Sequence, residues 1–313
     1  MASYLIKSLL FISRFNNLNI ELICVSRPNP NGLDRLSEYR SASEIKFIQH
    51  DISQPLPKGF PRADIIIHSA SQASPKYYGI DPAGTLLANS IGTSYLLEHA
   101  VKGRSEKFLF FSSGEVYGVP IDQTKLVGEQ DYGYLDPMIV RSCYAESKRI
   151  GETMCAAWAT QYGLCTLVVR PFHTYGPAMA LDDGRVYSDF VADVLARRDI
   201  AIKSDGLARR PFCYISDATV GFFTVLINGK IGEAYNVGNP DAEISMSDLA
   251  ELIAGLFPER RLAAKFVPVA SSNRYLKSPI ARSCPSIEKI KSLGWTPSVG
   301  LHHGFHKTIS SYF

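Results

Sequence analysis

Short stretches rich in β-branched and aromatic residues alternate along this chain with longer amphipathic ones. Ile20–Val25, Ile45–Gln49, Asp64–His68, Lys107–Phe111 and Cys165–Arg170 read as strands, and the later ones are apolar along most of their length. Between and before them the apolar residues recur at helical spacing, which predicts helices over Tyr4–Leu10, Leu86–Val101 and Tyr144–Tyr162. Strands that are apolar on both faces, each followed by a helix, imply a parallel doubly wound sheet covered on both sides. From Pro171 onward prolines, glycines and turns become frequent and the periodicities mix. Residues 1–170 are therefore expected to form the sheet domain, with 212–230 packing back on it. Residues 171–211 and 231–313 are expected to form a smaller lobe that closes over a site at the carboxyl ends of the strands.

The 313 residues suffice for a full core, and 20% charged with 46% hydrophobic residues is the balance of a soluble globular protein. The net charge of +3 is scattered, with no Lys/Arg run to suggest nucleic acid or an anionic membrane as partner. No apolar run exceeds strand length by enough to span a bilayer. The six cysteines form no C-x-x-C pair or metal spacing and read as reduced thiols of a cytoplasmic protein. Lys7 interrupts the apolar run near the start, and no small-residue cleavage site follows it. That segment reads as an amphipathic helix and not as a signal peptide.

Candidate chemistry begins with Tyr144 and Lys148, four residues apart on the last predicted helix. That spacing places a phenol and an ammonium on one face, where the positive charge would favour the phenolate. Ser113, just after the strand Lys107–Phe111, would supply a hydroxyl to orient a substrate alcohol. This is equipment for moving a proton to or from an alcohol while a nicotinamide takes or gives a hydride. Y-x-x-x-K alone also describes an exposed helix pair; the run Ser112-Ser113-Gly114-Glu115-Val116-Tyr117-Gly118 upstream favours chemistry. His302, His303 and His306 resemble a metal cluster but read as a solvated terminal helix, so no metal is expected.

Several blocks in order carry a family resemblance: His68-Ser69-Ala70-Ser71, Ser113-Gly114-Glu115-Val116-Tyr117-Gly118, Arg141-Ser142-Cys143-Tyr144 through Lys148, Arg170-Pro171-Phe172-His173-Thr174-Tyr175-Gly176-Pro177, and Arg210-Pro211-Phe212. In these the chain resembles the extended short-chain dehydrogenase/reductases of the NAD-dependent epimerase/dehydratase type. Within that group it is most similar to UDP-glucuronate decarboxylases (UDP-xylose synthases). The resemblance implies a homodimer acting on a nucleotide sugar with NAD or NADP. Tyr144 would take the hydroxyl proton, Ser113 would hold that oxygen, Lys148 would bind the nicotinamide ribose, and Glu115 would manage a proton at C5. It further implies cofactor contacts from Ser26, Arg27, Asp51, Ile52, Ala70 and Ser71. His173, Arg185, Arg210 and Arg282 would contact the substrate, the guanidiniums suiting diphosphate or acidic oxygens.

Three departures bear on activity. Met1-Ala2-Ser3-Tyr4-Leu5 aligns with the tail of the family's glycine-rich turn, so the usual first strand and its first glycines are expected to be missing. An upstream segment, a truncated gene and a non-catalytic remnant all remain open, and weak NAD(P) binding with reduced stability is expected. Ser26-Arg27 replaces the usual acidic residue at the first strand's end, leaving NAD and NADP both open. Gly114 stands where dehydratases carry an acid and decarboxylases a Ser, and His173 where decarboxylases carry Asn, which disfavours simple dehydration. Decarboxylation or epimerisation through C4 oxidation, an NADPH-dependent keto-sugar reductase, and a cofactor-free remnant are the readings carried forward.

Overall fold

The computed structural model describes residues 1–27, 34–268 and 280–313. In chain order it runs α1 (Ala2–Phe15), β1 (Leu22–Ser26), β2 (Ile45–Gln49), β3 (Ile65–His68), α2 (Pro82–Asn89), α3 (Ile91–Gly103), β4 (Lys107–Phe111), α4 (Cys143–Tyr162) and β5 (Cys165–Pro171). There follow β6 (Thr174–Tyr175), α5 (Val186–Leu195), β7 (Ile200–Ile202), β8 (Arg209–Pro211), β9 (Cys213–Tyr214), α6 (Ile215–Asn228) and β10 (Glu233–Val237). The chain closes with β11 (Glu243–Ser245), α7 (Met246–Gly255), β12 (Ala264–Phe266), α8 (Glu288–Lys291) and α9 (Leu301–Ser310).

The central sheet has four parallel strands in the order β10-β5-β4-β3. Phe108, Leu109 and Phe110 of β4 are wholly buried because both faces are covered. On one face Phe108, Phe110 and Val168 meet Leu97 and Ala100 of α3 and Cys155 of α4. On the other, Leu109, Phe111, Leu167 and Val169 meet Leu5 of α1 and Ala218 and Phe222 of α6. α4 approaches β4 closely at Gly151, where a Cβ would lie 2.4 Å from the Phe110 ring. Only glycine lets the helix bring its first turns over the sheet's edge at that height.

β1 and β2 pair in parallel as a separate two-stranded sheet. Val25 of β1 nevertheless packs into the same apolar cluster as Ile66 of β3, so both sheets rest on the α3/α4 layer. Among the described residues no strand pairs with the second edge of β1 or of β3. Ile65, at that edge of β3, is 44% exposed.

Two expectations change. The helix expected over Leu86–Val101 is two helices, because the backbone is distorted at Ser90 (φ −107°, ψ −74°). The first begins earlier, at Pro82, capped by the Asp81 carboxylate accepting from the Gly84 amide at 3.0 Å. The division at residue 231 is also corrected: β10 pairs with β5, and Ile287, Ile290 and Trp295 join the core beneath α6. The five-residue strand Glu233–Val237, interrupted by Asn236, is too short to reveal its sheet partner in sequence. The rest of the C-terminal region has its own core, in which Tyr175, Phe190, Val191, Phe212, Leu249, Ile253 and Phe305 pack between α5, α7 and α9.

Candidate active site

Ser113 lies two residues past the end of β4 and opens a 3-10 turn over Gly114–Tyr117, its hydroxyl accepting from the Glu115 amide at 3.2 Å. Tyr144 and Lys148 occupy the first two turns of α4, both almost fully buried. The Ser113 hydroxyl lies near enough to the Tyr144 phenol to lower its pKa. The strand end and the helix start thus bring the three expected residues together.

The electrostatics differ from the expectation in one respect. Burial raises the Tyr144 pKa above its ordinary value, against lowering by the Ser113 hydroxyl and the Arg185 charge. Lys148 donates to the Phe111 carbonyl at 2.6 Å and lies 5.7 Å from the centroid of the Tyr144 ring. Burial lowers its own pKa to about 7, opposed by Glu152. Burial thus outweighs the lowering by Ser113 and Arg185.

Glu115 pairs with Arg141 at 3.1 Å. Arg141 in turn lies over the ring of Tyr78, which stacks on Tyr144. Gly114 has no room for a side chain, since its Cβ would meet the Phe172 ring at 2.8 Å. The missing hydroxyl or carboxyl there is therefore a packing consequence as well as a chemical one.

Arg185 precedes α5, pairs with Asp183 at 2.7 Å and donates to the Ala73 carbonyl at 3.0 Å. His173 lies in the field of Arg185 and Arg210; burial first, and then those two charges, push its pKa well below the ordinary value. It is thus a neutral imidazole, and its buried Nδ1 has no hydrogen-bond partner. Arg210 donates to the carbonyls of Arg209, Ala281 and Ile280 at 2.7–2.9 Å. Arg282 is placed otherwise than expected. It forms a bidentate pair with Glu243 (2.7 and 2.9 Å) and donates to the carbonyls of Gln123 and Lys125, tying loops together.

On the cofactor side, Ser26 ends β1 and Arg27 is exposed beyond it. Asp51 accepts from the Ser53 amide and hydroxyl at 2.9 and 2.7 Å. Burial pushes its carboxyl up, but those bonds and the Arg27 charge outweigh it and hold the pKa below the usual range. Ile52 is buried against α3 and serves the core. Ala70 is exposed after β3, and the Ser71 hydroxyl oxygen is buried without a partner. An orphaned hydroxyl beside an exposed small residue suits a dinucleotide, so the residues present fit such a group.

Sequence reasoning missed the roles of Tyr78, Arg141 and Glu152. Arg141 stood in a quoted motif without an assigned partner; Tyr78 carried no periodic or motif signal. Glu152 lies one turn beyond Lys148, a spacing that could have pointed to it. His306 stacks on Phe257, and no group of three or more His, Cys, Asp or Glu able to hold a metal occurs among the described residues. Among them, too, no helix is long and apolar enough to cross a membrane.

The model for the NAD dependent epimerase/dehydratase family matches residues 10–238. The chain belongs to that family. Among its curated relatives, UDP-glucuronic acid decarboxylase 6 of Arabidopsis thaliana is 35% identical over 272 residues, covering 87% of this chain and 75% of the relative. UDP-glucuronic acid decarboxylase 1 of Danio rerio is 37% identical over 270 residues, 86% of this chain but 61% of the relative's length. The fold is similar to the crystal structure of UDP-glucuronic acid 4-epimerase from Bacillus cereus (TM-score 0.82, 22% identity, 99% and 94% of the two chains). It is equally similar to that of UDP-glucose 4-epimerase from Thermotoga maritima (TM-score 0.82, 21% identity, 99% and 94%). The family is one of NAD-dependent enzymes built on a Rossmann-type sheet, which agrees with the parallel sheet seen here.

Proposed function

We propose that this chain oxidises C4 of a nucleotide-linked hexose and, where the sugar carries a C6 carboxylate, acts as a decarboxylase or an epimerase. The convergence of Ser113, Tyr144 and Lys148 where β4 ends and α4 begins carries this reading. The 35–37% identity to UDP-glucuronic acid decarboxylases supports the sugar class. NAD, held by Ser26, Arg27, Asp51, Ala70, Ser71 and Lys148, supplies the hydride acceptor when bound. The match to the NAD dependent epimerase/dehydratase family supports NAD over a 2′-phosphorylated cofactor.

Ser113 holds the C4 oxygen while the Tyr144 oxygen takes the hydroxyl proton. A ketone at C4 makes a C6 carboxylate a β-keto acid, so the C5–C6 bond breaks with release of CO2 and its electron pair passes to the C4 oxygen as an enolate. Glu115, paired with Arg141, would manage the proton at C5, and return of the hydride to C4 with the Tyr144 proton to its oxygen would then give the UDP-pentose. Neutral His173 with Arg185 and Arg210 forms the polar wall on the lobe side.

The exposed apolar side chains Leu86, Leu87, Ile91 and Ile150 of α2, α3 and α4 suit a second copy of the chain. Light scattering of the purified protein is expected to give a dimer mass. A second functional reading, a non-catalytic chain with weak cofactor affinity, is favoured by one observation, the separation of β1–β2 from the four-stranded sheet. Incubation with UDP-glucuronic acid and NAD, followed by mass spectrometry and chromatography, separates the readings. A UDP-pentose or an isomeric UDP-uronate supports C4 oxidation, and unchanged substrate in the presence of bound NAD overturns it.

A further inference from the structure

Tyr78 follows the 3-10 turn Pro75–Tyr77 between β3 and α2, and its ring is almost completely buried. That ring lies nearly parallel to Tyr144, with centroids 5.2 Å apart and planes 15° from coplanar. The Arg141 guanidinium also lies over it, 5.9 Å from the centroid, and pairs with Glu115. Its hydroxyl donates to the Ala73 carbonyl at 3.2 Å, the same oxygen that accepts from Arg185 at 3.0 Å. Cys143 and Ala73 complete a small apolar cluster around the two rings.

Tyr144 is the second residue of α4, which continues directly from a 3-10 turn over Val140–Ser142. Lys148 does not hold the Tyr144 hydroxyl: it donates to Phe111, and among the described residues no hydrogen bond joins the two. One side of the Tyr144 ring is bounded by the flat face of Tyr78, whose hydroxyl is held by Ala73 and over whose ring Arg141 lies. We propose that Tyr78 is a positioning residue for Tyr144, its stacked ring setting the plane in which the phenol meets Ser113. This role rests on the reading of Tyr144 as the group that takes the substrate proton. It also couples Glu115, through Arg141, to the wall behind Tyr144, so the two proton-handling groups share one support.

Three variants test this. Tyr78→Phe keeps the flat face and loses the hydroxyl; Tyr78→Leu and Tyr78→Met keep apolar volume and lose the face. With UDP-glucuronic acid and NAD, Tyr78→Phe is expected within about threefold of the parent kcat. The other two are expected to lose about 10–100-fold in kcat with KM within about threefold, the cost of misplacing a reacting group by about 1 Å. Equal kcat in all three variants overturns the proposal. A second readout needs no turnover. In protein labelled with ring-13C tyrosine, the Tyr144 signal is identified by its loss in Tyr144→Phe. It should hold its position in Tyr78→Phe and move in Tyr78→Leu and Tyr78→Met. Melting curves establish which variants fold, and Tyr78→Met carries the comparison where Tyr78→Leu does not. An unmoved Tyr144 signal in a folded Leu or Met variant overturns the positioning role. A parent inactive on UDP-glucuronic acid counts instead against the proposed function, and leaves the NMR comparison to decide the role of Tyr78.

Discussion

Replacing Glu152 by Gln removes one negative charge from a buried network with almost no change in shape. The Glu152 carboxylate accepts from Arg170 Nε at 2.9 Å and Arg170 Nη2 at 2.6 Å, and from the Ser112 hydroxyl. The Arg170 side chain is 2% exposed. It also donates to the Tyr117 hydroxyl, the Glu129 carbonyl and the Tyr132 hydroxyl at 2.8–2.9 Å. The glutamine amide would turn an N–H donor toward a guanidinium that has only donors, leaving a buried cation without its counter-charge. Breaking such a pair costs about 3–5 kcal/mol. The three remaining acceptors and the Tyr117 ring, 4.9 Å from the guanidinium, keep the loss near the lower end, about 3 kcal/mol. Against a total stability of about 5–15 kcal/mol this is a large share. At about 2–4 °C per kcal/mol for large domains it lowers Tm by roughly 6–12 °C. Thermal melts of the parent, Glu152→Gln, Arg170→Met and the double variant form a cycle. The double variant should be more stable than the sum of the single losses implies, because no unpaired charge remains buried. A Tm for Glu152→Gln within about 1 °C of the parent, or strictly additive losses, would refute the reasoning.

Three further outcomes are expected. Tyr144→Phe should lower turnover of the nucleotide sugar by about 10²–10⁴-fold while leaving Tm unchanged, because it removes one hydroxyl and little volume; turnover at the parent rate removes Tyr144 from the mechanism. Gly114→Ser should destabilise by about 1–3 kcal/mol through overpacking against Phe172, read as a lower denaturation midpoint, and a neutral result would show that the ring can yield. Lys148 is charged in the unfolded chain up to its ordinary 10.5 but in the folded chain only up to about 7, so between those values the unfolded state binds more protons and stability rises with pH. The Tm of the parent minus that of Lys148→Met should therefore increase from pH 7 to pH 10, and a flat difference would show that the folded Lys148 keeps its charge.

What could be read from the chain without coordinates was the periodic and the local. Lys107–Phe111 and Ile45–Gln49 were predicted at the bounds observed, because apolar runs flanked by polar turns leave little choice of ends. Ser113, Tyr144 and Lys148 were legible because a four-residue helical spacing is itself a geometric statement, and a strand ending in Ser-Ser-Gly has few other uses. The break at Ser90 was not legible, since both halves keep helical periodicity.

The directions of charge effects lay beyond the sequence. Arg185, a cation that acts on Tyr144, is forty-one residues away along the chain and reaches the site through the Ala73 carbonyl. Arg282 had the residue type for a phosphate contact, but folding placed Glu243 opposite it, and a bidentate pair with a carboxylate satisfies the same donors. Tyr78 was one aromatic among sixteen tyrosines until the β3–α2 loop laid it against Tyr144. Spacing along a helix or strand determines which residues share a face, and so the sequence alone determined strands such as Lys107–Phe111 and Ile45–Gln49 and the Ser-Tyr-Lys set. Burial and long-range pairing set the desolvation, and with it the sign of each pKa shift; those arise from residues distant in sequence, and only the tertiary structure decided them.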